Sequence, residues 1–546
     1  MLEEPRVPAE FERLYLERGY WRDVLLDEFV LRHSATDPDR VAVVDGERRL
    51  TYRQLAEGVD RAAAALASVG LEPGDRVVVQ LPNVAEFLTT VLGLVRHGVR
   101  PVLTPPALGE RELRHVLAST EARGAVLADQ LTGRSRAVFE RVRAERPDLL
   151  GVFLVPRRGR RAPEGTYDLA ALLDGEHPEV PGGTGDGAHD GAHDSAQDSA
   201  DVALYLLSGG STGMPKAIPR THRDYVHNIE ISCALAALGP DSRYLAALPV
   251  THNFALGCPG VLGTLAVGGT VVLGEATPRA LARSVSAERI TVTALVPGLA
   301  GSLADATEDL SSLDVLQVGG AKLYEADARK LQENLPGRIQ QVFGMAEGLL
   351  NFTRLDDPDD VVARTQGRPA SEGDEWRIVD QRGREVPPGE SGELQVRGPY
   401  TIRGYLAPPE VNAASFTEDG HYRTGDVVRL DPSGNLVVVG RRTEFINRAG
   451  EKIAAADIEA LLAGHPGVAQ CVAVAAPHEF LGETVCLFAV PRDHQDLSLH
   501  ELRDYLRARG LAPYGLPERL RLMDRLPLTA VGKFDRAELA RMAEAR

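Results

Sequence analysis

The stretch from Ser208 to Lys216, SGGSTGMPK, places three hydroxyls (Ser208, Ser211, Thr212), three glycines (Gly209, Gly210, Gly213) and a lysine within nine residues. Bare backbone N–H groups, hydroxyls and one ammonium can surround anionic oxygens, which is the chemistry of a polyphosphate cradle. The common nucleotide loop needs G-x-x-x-x-G-K-[ST] running straight into a helix. Here Lys216 follows Pro215 and precedes Ala217-Ile218-Pro219, so a P-loop kinase that passes on the γ-phosphate is disfavoured. Glycine-serine loops more often serve as linkers, but this one directly follows an apolar strand, VALYLL at 202–207.

Lysine itself is informative. Of 61 basic residues only Lys216, Lys322, Lys330, Lys452 and Lys533 are lysine. A chain that uses arginine almost everywhere keeps lysine where a compact, flexible ammonium matters, and four of the five lie in glycine-rich or turn-like stretches. The alternative is chance placement.

The elements that must position these groups alternate in type. VAVVDG, DRVVVQLPN and RPVLTPP read as strands. Between them lie two helical stretches, one opened by Thr51 and Gln54 at capping-box spacing and one spanning VAEFLTTVLGLVRHG. The alternation returns after residue 200 with TVVLGE, ITVTALVP and LDVLQVGG. It predicts an α/β protein whose large N-terminal domain, residues 1–440, holds two doubly wound subdomains. From about 375 short strands and turns predict a small β-rich subdomain. Residues 441–546 predict a small mobile α+β domain, with a hinge between Gly440 and Gly450 and a helix from Leu499 capped by Ser498. The acidic, glycine-rich run 181–200, with its GAHD repeat, reads as a solvated loop rather than a metal site for His189 and His193.

Composition bounds the rest. With 546 residues, 43% hydrophobic and 25% charged, the chain has ordinary globular composition for several domains. A formal charge of -17 disfavours nucleic acid and anionic membranes as partners. A charged N-terminus, no bilayer-length apolar run and four cysteines without CxxC spacing predict a cytoplasmic protein with reduced thiols.

Five stretches, in order, carry a resemblance. LLSGGSTGMPKAIPRTH, VFGMAEG, YRTGDVVRL, GRRTEFINRAGEKI and PLTAVGKFDR resemble the phosphate loop, aromatic-glycine-acid, ribose, hinge and terminal-lysine motifs of the acyl-adenylating superfamily. LPVTHNFALGCPG, LQVGGAKL and VFGMAEGLLNFTRLDD resemble its stand-alone aryl-acid AMP ligases, the salicylate type and its 2,3-dihydroxybenzoate relatives. The resemblance implies ATP and Mg²⁺ as cofactors. It implies that Ser208, Ser211, Thr212 and Lys216, with Gly209, Gly210 and Gly213, hold the outer phosphates. Glu347 would bind Mg²⁺, and Asp426 the ribose with Arg441 nearby. Gly319, Gly320, Ala321, Phe343, Gly344, Met345 and Ala346 would line the adenylate. Lys533 would bridge the acid's carboxylate and the α-phosphate, and Thr443 would lie at the hinge. An isolated C-terminal lysine would otherwise be a solvated surface charge, and an isolated Asp426 a turn former.

The acid is read from the pocket that the resemblance implies. Amino-acid-activating relatives place an aspartate opposite the α-ammonium where this chain has Asn253, and a neutral amide leaves a buried cation unpaired. Asn253 can instead bond an ortho hydroxyl. His252 would lie beside the carboxylate, with a structural histidine the competing reading. Cys258 stands where dihydroxybenzoate ligases typically carry serine, and Leu350 where they carry valine. A weakly bonding thiol and a bulkier side chain favour salicylate over an acid with a 3-hydroxyl. Phe254, where many relatives have tyrosine, removes another polar handle, and Gly320 borders the same pocket. The acceptor implied is the phosphopantetheine thiol of an aryl carrier protein in trans, with free coenzyme A as the alternative. Thr443 and Ala449 depart from the usual hinge pattern and bear on that second step.

Overall fold

The structure is a computed structural model that describes residues 4–128, 134–154, 162, 164–174, 197–208, 214–441, 445–448, 451–478, 482–492, 496–509, 511, 513–529 and 533–544. The expected capping box forms. Gln54 N donates to Thr51 Oγ1 at 3.2 Å and Thr51 N to Gln54 Oε1 at 2.9 Å, which starts the helix Tyr52–Ser68. Such a cap stabilises a helix by about 1 kcal/mol. The apolar face of this helix packs on the helix Ala85–Arg96. The approach is so close that a Cβ at Gly93 would stand 2.6 Å from Ala62 Cβ.

Two large sheets form the core of the N-terminal part. One has seven strands, ordered Tyr167–Asp168, Leu150–Leu154, Gly124–Ala128, Arg76–Gln80, Arg100–Leu103, Val202–Leu207 and Ala217–Thr221. All pairings are parallel except the last. The other has nine, with Arg243–Ala246, Val292–Leu295, Val315–Gly319 and Arg338–Gly344 parallel at its centre and antiparallel strands at both edges. Val202–Leu207 is buried at every position, as a strand covered on both faces must be. The two halves read from the sequence interleave in space. Val41–Asp45 pairs in parallel with Thr270–Leu273 in the nine-stranded sheet, whereas Val202–Leu207 joins the earlier strands in the other.

The β-rich subdomain is a four-stranded antiparallel sheet, Glu375–Val379, Gly392–Arg397, Tyr422–Leu430 and Leu436–Arg441. Sheet membership changes between Arg441 and Phe445, where a five-stranded sheet begins, built around the antiparallel pair Val468–His478 and Gly482–Pro491. Ser498 caps the helix Leu499–Ala508, accepting from Glu501 N at 3.2 Å. The two parts meet at Tyr324, whose hydroxyl donates to Glu459 Oε2 at 3.1 Å. Glu459 also accepts from Arg536 Nη2 at 2.6 Å and Ala473 N at 2.8 Å, so the contact rests on a braced carboxylate.

Candidate active site

The phosphate-type loop closes on an antiparallel hairpin in which Leu207 faces Ala217. Ser208 N donates to Lys216 O at 3.0 Å and Lys216 N to Ser208 Oγ at 2.9 Å, so the two ends of the loop are clamped. Gly209, Gly210, Ser211, Thr212 and Gly213 lie outside the described residues, as do Thr443, Ala449 and the GAHD repeat. Lys216 Nζ sits 4.5 Å from the ring centroid of Tyr405, and the Tyr405 hydroxyl donates to Glu347 Oε1 at 2.7 Å. A second phenol, Tyr422, lies 3.0 Å from that hydroxyl. Tyr405 therefore joins the lysine of one motif to the acid of another, a role that no spacing in the sequence marks. Burial, reinforced by the Glu347 carboxylate, holds the Tyr405 phenol far above its ordinary pKa, so it remains a donor.

Glu347 is buried in a tight turn after the strand Arg338–Gly344. Gly348 has φ +121°, and a Cβ there would stand 2.4 Å from Thr401 Cα, so only glycine fits. Ile402 N, donating to Glu347 O at 2.8 Å, holds the turn from the other side. Arg220, wholly buried, reaches Ala346 O at 3.0 Å. Phe343, Gly344 and Met345 lie in and just after that strand. A carboxylate oxygen is the right donor for a hard cation. Among the described residues no group of three His, Cys, Asp or Glu is placed to hold a metal, so Glu347 could serve Mg²⁺ only together with ligand oxygens.

Asp426 and Arg441 face each other across the antiparallel pair Tyr422–Leu430 and Leu436–Arg441, with Arg441 Nε donating to Asp426 Oδ1 at 2.9 Å. Gly319 and Gly320 end the strand Val315–Gly319 ahead of the exposed Ala321. Gly320 has φ +76°, and a Cβ at Gly319 would meet Val342 O at 2.6 Å and Phe254 Cζ at 3.0 Å. Absence of a side chain thus lets Phe254 lie against the strand end.

The short helix Asn253–Gly257 carries the aryl-pocket candidates, with His252 just before it. Cys258, Leu350, Val342, Phe352 and Tyr400 form one buried apolar cluster, with Phe254 packed on it. Cys258 and Leu350, distant in sequence, thus lie in the same cluster. Asn253 Nδ2 donates to Cys258 Sγ at 3.2 Å, and burial pushes the Cys258 thiol up to about 12. Tyr400 Oη accepts from Leu350 N at 3.0 Å and donates to the half-buried Asp374 at 2.7 Å, which pins the pocket wall.

Lys533 is exposed in a turn whose ends are tied by Thr529 N donating to Lys533 O at 2.6 Å and Lys533 N to Thr529 Oγ1 at 3.2 Å. Burial, then the positive charge of Lys533, push the His252 imidazole down to about 4. The His252 Nε2 atom is shut off from solvent and has no hydrogen-bond partner among the described residues. A group with so low a pKa is neutral at every assay pH above about 5. Wild-type protein and a His252→Gln variant should accordingly give pH–rate curves of the same shape between about pH 5.5 and 8. An acid limb near 6.5 that vanishes in the variant would show that the imidazole titrates normally.

Two family profiles match the chain, AMP-binding enzyme over residues 30–406 and AMP-binding enzyme C-terminal domain over residues 457–533. The chain belongs to the AMP-binding enzyme family. A Streptomyces sp protein named salicylyl-CoA synthase / salicylate adenylyltransferase is 46% identical over 538 residues, covering 97% of this chain and 96% of that protein. Salicyl-AMP ligase / salicyl-S-ArCP synthetase of Mycobacterium tuberculosis is 43% identical, covering 98% and 93%. The 2,3-dihydroxybenzoate-AMP ligase of Bacillus subtilis is 42% identical, covering 97% and 96%. Among the described residues no helix is long and apolar enough to cross a membrane.

Proposed function

We propose that this protein activates an aryl acid with ATP, salicylate foremost, and then passes the acyl group to the phosphopantetheine thiol of an aryl carrier protein. In the first step the carboxylate oxygen bonds to the α-phosphorus as the bond to the β-phosphate oxygen breaks, giving aryl-AMP and pyrophosphate. In the second the thiol sulfur bonds to the acyl carbon, AMP leaves and the thiol proton passes to solvent. The observation that carries the reading is the hydrogen bond from Tyr405 to Glu347 with Lys216 against the same ring, which brings the cation of one motif and the carboxylate of another to one place. Joining two anions is the difficulty of the first step, and a cation aimed at the new bond offsets their repulsion.

Glu347 suits Mg²⁺ carried by the triphosphate, which when bound would neutralise charge on the departing pyrophosphate. Lys216, held over Tyr405, is the chain's own cation for the outer phosphates. Asp426, braced by Arg441, is the ribose acceptor. Salicylate rather than its 3-hydroxy analogue is favoured by Cys258 and Leu350 meeting in one dry cluster. The names of the Streptomyces and mycobacterial relatives also contain salicylate or salicyl, and the latter a carrier-protein thioester. A specific observation keeps coenzyme A as the second reading, since the Streptomyces relative is named for a CoA product.

Substrate-dependent ATP–pyrophosphate exchange with salicylate, 2,3-dihydroxybenzoate, benzoate, hydroxypicolinate and anthranilate tests the acid, and thioester formation with CoA and with a holo carrier tests the acceptor. Salicylate should lead. The double variant Cys258→Ser, Leu350→Val should move the preference toward 2,3-dihydroxybenzoate by roughly 10- to 100-fold, the range expected of a methylene and one hydrogen bond. Equal exchange with both acids in the unaltered protein would sink the assignment of the ring.

A further inference from the structure

Tyr225, in the helix His222–Leu235, is wholly buried, and its hydroxyl donates to Asn253 Oδ1 at 2.8 Å. The opposite end of that carboxamide meets Cys258 Sγ. The Arg220 guanidinium lies 4.8 Å from the Tyr225 ring centroid and is itself held by Asp224 at 2.7 Å. Gly257 leaves room for the phenol, because a Cβ there would stand 2.8 Å from Tyr225 Oη. Tyr225 is thus clamped from three sides with its oxygen on Asn253.

The two ends of a carboxamide are distinguished by the bonds they make. With Nδ2 turned toward Tyr225, the phenolic O–H would lose its acceptor in a water-free place, and Oδ1 would gain only the weak S–H donor of Cys258. Tyr225 therefore outweighs Cys258 in deciding which way the amide faces. Resting on the reading of this pocket as the aryl-acid site, we propose that Tyr225 is a positioning residue that fixes the polarity of Asn253, so that the pocket offers an N–H donor to the substituent ortho to the carboxylate. Cys258 takes one hydrogen of Nδ2, and the second serves the ligand.

The chemistry that follows is selective. An ortho phenol turns its hydrogen to its own carboxylate and leaves oxygen lone pairs free to accept from Nδ2. An ortho amino group has its lone pair drawn into the ring and presents only hydrogens, so N–H meets N–H. A hydroxyl is selected over an amine of the same size by hydrogen-bond sense, which steric fit alone cannot achieve.

The test is ATP–pyrophosphate exchange with salicylate, anthranilate and benzoate for the unaltered protein and for Tyr225→Phe. The variant frees the amide to turn, so the ratio of kcat/KM for salicylate over anthranilate should fall by about tenfold while benzoate, which has no ortho group, changes by less than about twofold. A uniform fall for all three acids would mean a merely structural role and would overturn the proposal. Asn253→Asp supplies an independent arm should Tyr225→Phe melt early. Its carboxylate keeps the Tyr225 bond but shows the ring an acceptor, so anthranilate should overtake salicylate, and an unchanged order would overturn the proposal. Absence of exchange with every aryl acid in the unaltered protein would overturn the parent reading and this one with it. Salicylate exchange with an unshifted ratio in both variants would overturn this one alone.

Discussion

Lys533→Ala should lose ATP–pyrophosphate exchange by roughly a thousandfold, about 4 kcal/mol of transition-state stabilisation, while thioester formation from preformed aryl-AMP stays within about threefold. The split follows from where charge develops. Adenylation brings a carboxylate against a phosphate, and the Lys533 ammonium is the group proposed to offset their repulsion. Thiol attack on the adenylate begins from a neutral acyl carbon and needs no such cation. Lys533→Arg should recover only part of the loss, since a planar fork cannot replace a compact point charge. The turn around Lys533 is held by backbone bonds with Thr529, so the folded state should survive both changes and thermal melts should coincide. Equal loss in both half-reactions would show damage to the small domain as a whole, and near-normal exchange would remove Lys533 from the chemistry.

The second large effect is expected at Glu347. Glu347→Gln keeps the side chain's shape and an acceptor for the Tyr405 hydroxyl, and Ile402 still bonds its carbonyl, so the turn should stay in place. What is removed is one negative charge that Tyr405 links to Lys216. Exchange should fall by roughly a hundredfold at fixed Mg²⁺, and the Mg²⁺ concentration for half-maximal rate should rise, because an amide oxygen is a poorer ligand for a hard cation than a carboxylate. An exchange curve that superimposes on the wild-type Mg²⁺ titration would separate Glu347 from the metal. Tyr405→Phe provides the contrast. It leaves the carboxylate in place but takes away its hydrogen bond, so its effect on exchange should be the smaller.

Much of the fold could be read along the chain because its signals are local. The capping box at Thr51 and the N-cap at Ser498 form where the spacing placed them, and the alternating apolar runs become buried strands. What local pattern could not convey is which strands share a sheet. Val41–Asp45 crosses to the nine-stranded sheet and Val202–Leu207 crosses the other way. Both strands are short and apolar, each with one parallel and one antiparallel neighbour, so nothing in their composition distinguishes one sheet from the other. The two doubly wound units expected are present, and each draws one strand from the other's stretch of chain.

The site divides along the same line. The resemblance of the motifs proposed Ser208, Lys216, Glu347, Asp426 and Lys533 as site residues, because each stands in a short stretch of distinctive residue types. Tyr405, Tyr225 and Arg220 went unseen, since a buried aromatic or arginine in a sequence looks like any other core residue. Their roles arise only from contacts across 58, 28 and 126 positions, to Glu347, Asn253 and Ala346 respectively. The sequence by itself determined the chemical inventory and the family, because reactive groups and turn geometry are written in residue type. Only the tertiary structure decided how those groups are braced and which way the Asn253 amide faces, because hydrogen-bond sense depends on neighbours that chain order does not reveal.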